Sequence, residues 1–267
     1  MAATREHALN AMIAEPPLLL VALLMGLCIG SFLNVVIYRL PRGQSLVSPG
    51  SRCPNCGYQL RWYDNVPVLS WVFLGGRCRQ CRTRISAQYP IVEIITAMLF
   101  VLVVWLTPLE PLLISRLILV AILVALFGID LEHQILPNTV TLPGIAIGLM
   151  FSAIGPPGWK DALIGAALGA GVLYGIAAAY YAVRREEGLG MGDVKMLAMI
   201  GAFLGWKAVL VTLVLSSFSG AAIGMALIAA QRGGMKLALP FGTFLAVGAL
   251  AALLVGEPLI AWYAGFY

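Results

Sequence analysis

Charge and histidine are what this sequence has least of. Only 11% of its 267 residues are charged, 61% are hydrophobic, and the histidines number two, His7 and His133. With a mean hydropathy of +0.93, that scarcity of charge excludes an ordinary soluble domain. Neither histidine has metal-ligand spacing. No glycine fingerprint follows a strand-like run, so a Rossmann-type cofactor site is absent in the motif sense. Internal repeats and low-complexity tracts are also missing, which removes the support for a transporter built from inverted repeats. The first apolar run lacks a basic leader and a small-residue cleavage site, and is expected to be a retained first helix.

What remains reads as an all-α polytopic membrane protein of about eight transmembrane helices. The apolar spans fall at residues 17–40, 89–107, 112–130, 139–155, 161–183, 192–206, 208–230 and 237–256. Between the first and second, residues 42–88 change character, with Arg42, Arg52, Arg61, Arg77, Arg79, Arg82 and Arg84 against the single acid Asp64. That basic excess predicts a small cytoplasmic domain. The organisation expected is a first transmembrane helix over 1–41, this domain over 42–88, and a seven-helix membrane domain over 89–267. Fixing the domain inside also brings Arg184, Arg185, Arg232 and Lys236 inside. Arg5, Lys160 and Lys207, with Arg116 near the edge, fall outside, as do both termini. The net charge of +5 is thus read as a membrane-insertion signal and not as a nucleic-acid footprint.

Two local patterns carry chemistry. Cys53-Pro-Asn-Cys56 and Cys78-Arg-Gln-Cys81 are paired knuckles with the spacing of a four-thiolate zinc site. Disulfides are the alternative, disfavoured in a reducing compartment. Four protein ligands leave no open position, so the zinc is expected to be structural, stapling a domain too small for a large core. Cys28, inside the first span, reads as a small packing residue. The second pattern is a pair of carboxylates. Asp193 opens an apolar run within Gly190-Met-Gly192-Asp-Val-Lys195, and Asp130 closes another within Gly-Ile-Asp-Leu-Glu-His. A helix-opening acid is often only a cap, and Lys195 only an interfacial lysine. However, the loop bookkeeping puts both acids at one depth, at the cytoplasmic boundary, where a proton-sharing pair could form. Gly190 and Gly192 would let backbone approach closely, and Lys195 could tune Asp193. Glu93 reads as interfacial. A Ser219–His133 serine peptidase is disfavoured, because Ser219 is mid-span and His133 at the edge.

Several further segments, in order and spacing, resemble bacterial type IV prepilin peptidases over nearly the whole length. They are Gly30-Ser-Phe-Leu-Asn34, Tyr38-Arg-Leu-Pro41, the two knuckles with Trp62–Trp71 between them, Tyr89-Pro-Ile-Val-Glu93, Ile129-Asp-Leu131, Gly190–Lys195 and Pro240-Phe-Gly242. The resemblance implies an aspartic membrane endopeptidase with Asp130 and Asp193 as catalytic residues. Its implied substrate is a prepilin or pseudopilin with a short basic leader ending in glycine, cleaved at the cytoplasmic face of the bacterial inner membrane. It also implies methylation of the new N-terminus from S-adenosylmethionine, with Gly76, Arg77 and Glu93 as candidate residues. Two positions depart from the family pattern: Asn138 stands where aspartate is common, and Thr243 where proline is common. The alternatives are a peptidase without methyl transfer, and a non-catalytic zinc-ribbon assembly factor or transporter, which leaves the two acids at one depth unexplained.

Overall fold

The computed structural model describes residues 16–108, 111–186, 188–230 and 240–265. Its helices are α1 (Pro16–Arg39), α2 (Leu69–Phe73), α3 (Gln88–Leu106), α4 (Pro111–His133), α5 (Asn138–Ile154), α6 (Trp159–Arg184), α7 (Met191–Ala229) and α8 (Phe241–Ala264). Among the described residues, α1, α3, α4, α6 and α7 are long and apolar enough to cross a membrane, while α5 and the apolar Phe241–Gly256 are shorter. The chain is a multi-pass membrane protein. It divides into two compact units, Met1–Leu113 and Ile114–Tyr267.

In the first unit α1 and α3 pack antiparallel along a seam that the sequence spaces every four residues. A Cβ at Gly26 would lie 2.5 Å from Ala97 Cα, and one at Gly30 would lie 2.7 Å from Glu93 Cα. One step further, Asn34 Nδ2 donates to the Tyr89 carbonyl at 3.0 Å and to that of Gly30 at 3.3 Å. Small residues bring the backbones together and the amide fastens them, as packing between apolar helices requires where burial alone gives no drive. Cys28 falls on the exposed face of α1 and not in this seam, which corrects its reading as a packing residue.

The Arg-rich segment that joins α1 to α3 has almost no regular structure. Each knuckle is closed by one antiparallel bridge, Arg52 with Gln59 and Arg77 with Arg84. The two turns repeat each other: Cys53 N donates to Tyr58 O and Cys78 N to Thr83 O, at 2.8 and 2.9 Å. Gly57 and Arg82 hold the same left-handed position, with φ of 72° and 59°. Asp64, the segment's one acid, is the clasp. It is buried and accepts from Arg79 Nε at 2.7 Å, Tyr58 OH at 3.0 Å and the Arg61 amide at 3.3 Å. Burial pushes its pKa up, but these donors outweigh burial and hold the carboxyl below its ordinary range.

In the second unit glycines again set the distances. A Cβ at Gly165 would lie 2.6 Å from the Gly201 carbonyl oxygen, and one at Gly169 the same distance from that of Leu197, so α6 runs antiparallel to the start of α7. Gly144 meets Met199 and Gly148 meets Phe203, so α5 runs parallel to it. At Gly205 the backbone leaves helical geometry, with φ 80° and ψ 174°. Beyond that point α7 returns along α8: Ala208 and Val211 pack with Ala252, Ser216 with Gly248, and Gly220 with Phe244. The 39-residue run is therefore a hairpin of two helical arms. The ranges 192–206 and 208–230 read from sequence are those arms. The expected basic turn at 231–236 lies outside the described residues, as does Arg5.

Candidate active site

The hairpin returns the chain to the end where it began, and four helix ends of the second unit meet there. The last turn of α4 carries Asp130, while α5, α7 and α8 start at Asn138, Met191 and Phe241. Asp130 and Asp193 are 4% and 9% exposed, and their charges act on one another. Asp130 Oδ2 accepts two hydrogen bonds from one residue: Thr243 N at 2.6 Å and Thr243 Oγ1 at 3.0 Å. Thr243 is the third residue of α8, whose preceding Pro240 gives no side-chain cap. A carboxylate from α4 thus caps the N-terminus of α8 across the fold, a place where the free N–H groups and the helix dipole favour negative charge.

Asp193 occupies the third position of α7, after Gly190, whose amide acts on its carboxylate. The glycines around the pair are occupied on their open sides. A Cβ at Gly190 would sit 3.2 Å from Asp193 Oδ2, and one at Gly242 would sit 3.0 Å from Asp130 Oδ2. Leu136 fills the space between the two motifs, 2.8 Å from a Cβ position at Gly192 and 2.9 Å from one at Gly242. Lys195 turns to Asn138, with Nζ donating to Oδ1 at 2.8 Å, and so ties the start of α7 to the start of α5. His133 faces Glu132 at 3.6 Å, and the Ser219 hydroxyl donates to the Ser216 carbonyl of its own helix, so these two do not form a serine–histidine pair.

Two features belong to the first unit. The sulfurs of Cys53, Cys56, Cys78 and Cys81 lie within 4.8 Å of one another, and no disulfide joins them. The Cys53–Cys81 and Cys56–Cys78 separations are 3.8 and 3.9 Å. A tetrahedron with metal–sulfur bonds of about 2.3 Å has edges of about 3.8 Å, whereas a disulfide needs about 2.05 Å. The cluster could therefore hold a metal. Thr83, through its hydroxyl and its amide, and then Asn55 bring the Cys81 thiol down to about 5.

The other feature is a cavity of about 730 Å³ lined by Asn34, Tyr58, Asp64, Trp71, Tyr89 and Glu93 among others. Glu93 Oε2 accepts from the Val68 amide at 2.7 Å. Val68 centres a γ-turn, with φ 59°, ψ −51° and Leu69 N bonded to Pro67 O at 2.5 Å. A β-branched residue with positive φ is strained, and the carboxylate of Glu93 holds it in place. Gly76 and Arg77 stand behind the lining. Gly76, at φ 64°, leaves room for the Trp71 ring, which a Cβ would meet at 2.8 Å, and Arg77 bridges to Arg84 in the second knuckle.

Two family models divide the chain as its units do: "Bacterial Peptidase A24 N-terminal domain" matches residues 24–107 and "Type IV leader peptidase family" matches 117–225. The chain belongs to the type IV leader peptidase family. It is 41% identical to a "Prepilin leader peptidase/N-methyltransferase" of Aeromonas salmonicida, over 90% of this chain and 91% of that one. To the protein of that name from Stutzerimonas stutzeri it is 36% identical, over 95% and 97%. The Myxococcus xanthus protein of that name is 45% identical over 79% of this chain and 64% of its own length. No solved structure matches the chain. Within this family member, both aspartates lie in the segment matched by the peptidase model, and the cysteines and the cavity lie in the segment matched by the N-terminal model. Thr243 escaped the sequence reading as a site residue, because a threonine in an apolar helix carries no signal of a partner 113 positions away.

Proposed function

We propose that this protein is an aspartic endopeptidase of the bacterial inner membrane. It removes the leader peptide of type IV prepilins and pseudopilins at the cytoplasmic face and then methylates the new N-terminus. The observation that carries the first activity is the burial of Asp130 and Asp193 together where four helix ends meet. Two carboxylates at close range share one proton, so one can act as base and the other as acid. The base takes a proton from water as its oxygen attacks the scissile carbonyl carbon, and the acid gives its proton to the carbonyl oxygen. When the carbon–nitrogen bond breaks, the amine takes the first proton and a hydroxyl of the intermediate returns the second, so the pair ends as it began. The relatives' name supports the substrate, and the seven arginines of 42–88 support the cytoplasmic side.

The cavity supports the second activity. Its volume is in the range of small-molecule sites. S-adenosylmethionine, when bound, supplies a methyl group on a sulfonium cation. Trp71, Tyr58 and Tyr89 in the lining supply aromatic rings for such a cation, and Glu93 a carboxylate, alongside the guanidinium groups of Arg39, Arg52, Arg79 and Arg84. Glu93 would position the wall of the site through Val68, and Gly76 would position Trp71. Cys53, Cys56, Cys78 and Cys81 would hold a structural zinc that fixes the knuckles beside Asp64 and Arg79.

The test is cleavage of a purified prepilin by detergent-solubilised protein. Asp130→Asn and Asp193→Asn should each lower the rate at least about 100-fold, since amidation nearly preserves shape and removes proton transfer. An intact prepilin with wild type, or cleavage by both variants at the wild-type rate, would refute the reading.

A further inference from the structure

The two aspartates are chemically alike in sequence, but their surroundings differ. Asp130 accepts two donors on one oxygen, both from Thr243, and it does so at the buried N-terminal end of α8, where N–H groups lack intrahelical partners. Of two carboxylates that share one proton, the one that accepts two hydrogen bonds is the better place for the charge, because an ionised carboxylate only accepts while a protonated one must also donate. Asp193 has no such pair of donors among the described residues; the Gly190 amide of its own helix is what reaches it. From this asymmetry, and resting on the peptidase reading, we infer that Asp130 is the base, Asp193 carries the shared proton as the acid, and Thr243 is the positioning residue that makes the assignment.

In the reaction Asp130 takes the water proton and hands it to the leaving amine, while Asp193 protonates the carbonyl oxygen and is reprotonated when the intermediate collapses. Thr243 works through Asp130. It acts by fixing which oxygen of Asp130 is committed: Oδ2 is engaged by α8, and Oδ1 is left for the water.

Among the described residues, the charged and titratable groups around Asp130 are few. Asp193 and Lys195 lie on the first turn of α7, with Lys195 bonded to Asn138. Glu132 and His133 follow on α4 and face each other. The first four turns of α8, from Phe241 to Leu254, carry no charged residue. His133 is the imidazole that lies beside the dyad among the described residues, and it is controlled in the experiment.

The experiment is the pH profile of kcat/KM for prepilin cleavage by the full-length protein, with Thr243→Val, Thr243→Ser and His133→Gln. Thr243→Val keeps the shape and the backbone bond but removes the hydroxyl, so the acid limb should move up by roughly one pH unit with the alkaline limb in place. Thr243→Ser restores the donor and should restore the wild-type limb, whereas a merely structural role would leave the profile unmoved in both. His133→Gln should leave the acid limb where it is. An unshifted acid limb in Thr243→Val, a shift confined to the alkaline limb, or an acid limb that follows His133→Gln would overturn the assignment. If wild type cleaves nothing, the peptidase reading fails instead.

Discussion

Gly75 and Gly76 are adjacent, both left-handed, with φ of 60° and 64°, and they make a matched pair of perturbations. Alanine at either position adopts a conformation that disfavours L-residues by about 1–2 kcal/mol. At Gly75 nothing stands within 4 Å of the new Cβ, so backbone strain is the whole effect. At Gly76 the Cβ arrives 2.8 Å from Trp71 Cζ2, and ordinary contact begins at 3.4 Å, so the ring must retreat by the difference, 0.6 Å. Trp71 is also tied by its Nε1 to the Ile85 carbonyl at 3.3 Å, so it cannot slide freely within its plane. A displaced ring changes the wall of the cavity. The expected result is that Gly76→Ala weakens S-adenosylmethionine binding, measured by calorimetry, roughly tenfold or more, about 1.4 kcal/mol. Gly75→Ala should bind as wild type does, and both variants should cleave prepilin within about twofold of wild type, since strain in the first unit does not touch the aspartates. Equal binding losses in the two variants would mean that strain and not Trp71 is responsible. Unchanged binding in Gly76→Ala would refute the cavity as the methyl-donor site.

The remaining predictions concern the Cys-rich segment and the independence of the two chemistries. Chelation, or the double variant Cys53→Ser, Cys78→Ser, should unfold residues 42–88 as followed by limited proteolysis, because apparent zinc affinity of roughly 10 kcal/mol or more dominates the folding of so small a unit; purified protein with no zinc and four reactive thiols would show the idea wrong. Asp64 has a lowered folded pKa, so its contribution to stability is present above the unfolded value of about 3.9 and is lost as pH falls through the folded value. Wild type minus Asp64→Asn should therefore show a stability difference that is constant above about pH 5 and shrinks below about pH 4, and a difference independent of pH would remove the role assigned to that carboxylate. Asp193→Asn should still transfer labelled methyl from S-adenosylmethionine to a pilin supplied already cleaved, and loss of that transfer in a folded, zinc-loaded variant would mean one centre serves both reactions.

How much of this was legible in the sequence depended on how far each signal reaches. The knuckles announce themselves because two ligands of each lie within four residues, and the S–S separations agree with that spacing. Asp130 and Asp193 stand out because a charge in an apolar helix is costly enough to need a reason. Gly30 and Asn34 stood out as part of the family resemblance, and in the fold they meet Glu93 and Tyr89. Other assignments depended on contacts between distant segments. Leu136 looks like any leucine until Gly192 and Gly242 close on it, and Gly76 looks like a turn glycine until Trp71 lies against it. Arg82 holds a left-handed position without glycine's freedom, so only its correspondence with Gly57 in the other knuckle would have shown it. Lys195 was read as able to tune Asp193, but its partner is Asn138, one of the two positions that depart from the family pattern.

The same physics explains why the pair can be both buried and fixed. Ionised carboxylates among apolar helices require donors that the hydrocarbon cannot supply, and the free N–H groups at helix starts are the nearest stock. Three helices begin at this end of the second unit, and the start of one, α8, is used directly through Thr243. Bringing so many helix ends together demands that their axes approach closely. Gly165, Gly169 and Gly201 allow this by placing backbone against backbone between α6 and the first arm of α7. That arm carries Asp193 on its first turn, so the glycine contacts at Leu197 and Gly201 set its height one and two turns below the carboxylate. On the other side, Gly248 against Ser216, and the Ser216 hydroxyl bonded to the Phe244 carbonyl at 3.0 Å, set the height of α8 and with it Thr243. The hairpin at Gly205 joins the two settings. A substitution there would act on both aspartates at once without touching either, because φ of 80° is open to glycine and closed to a β-branched residue.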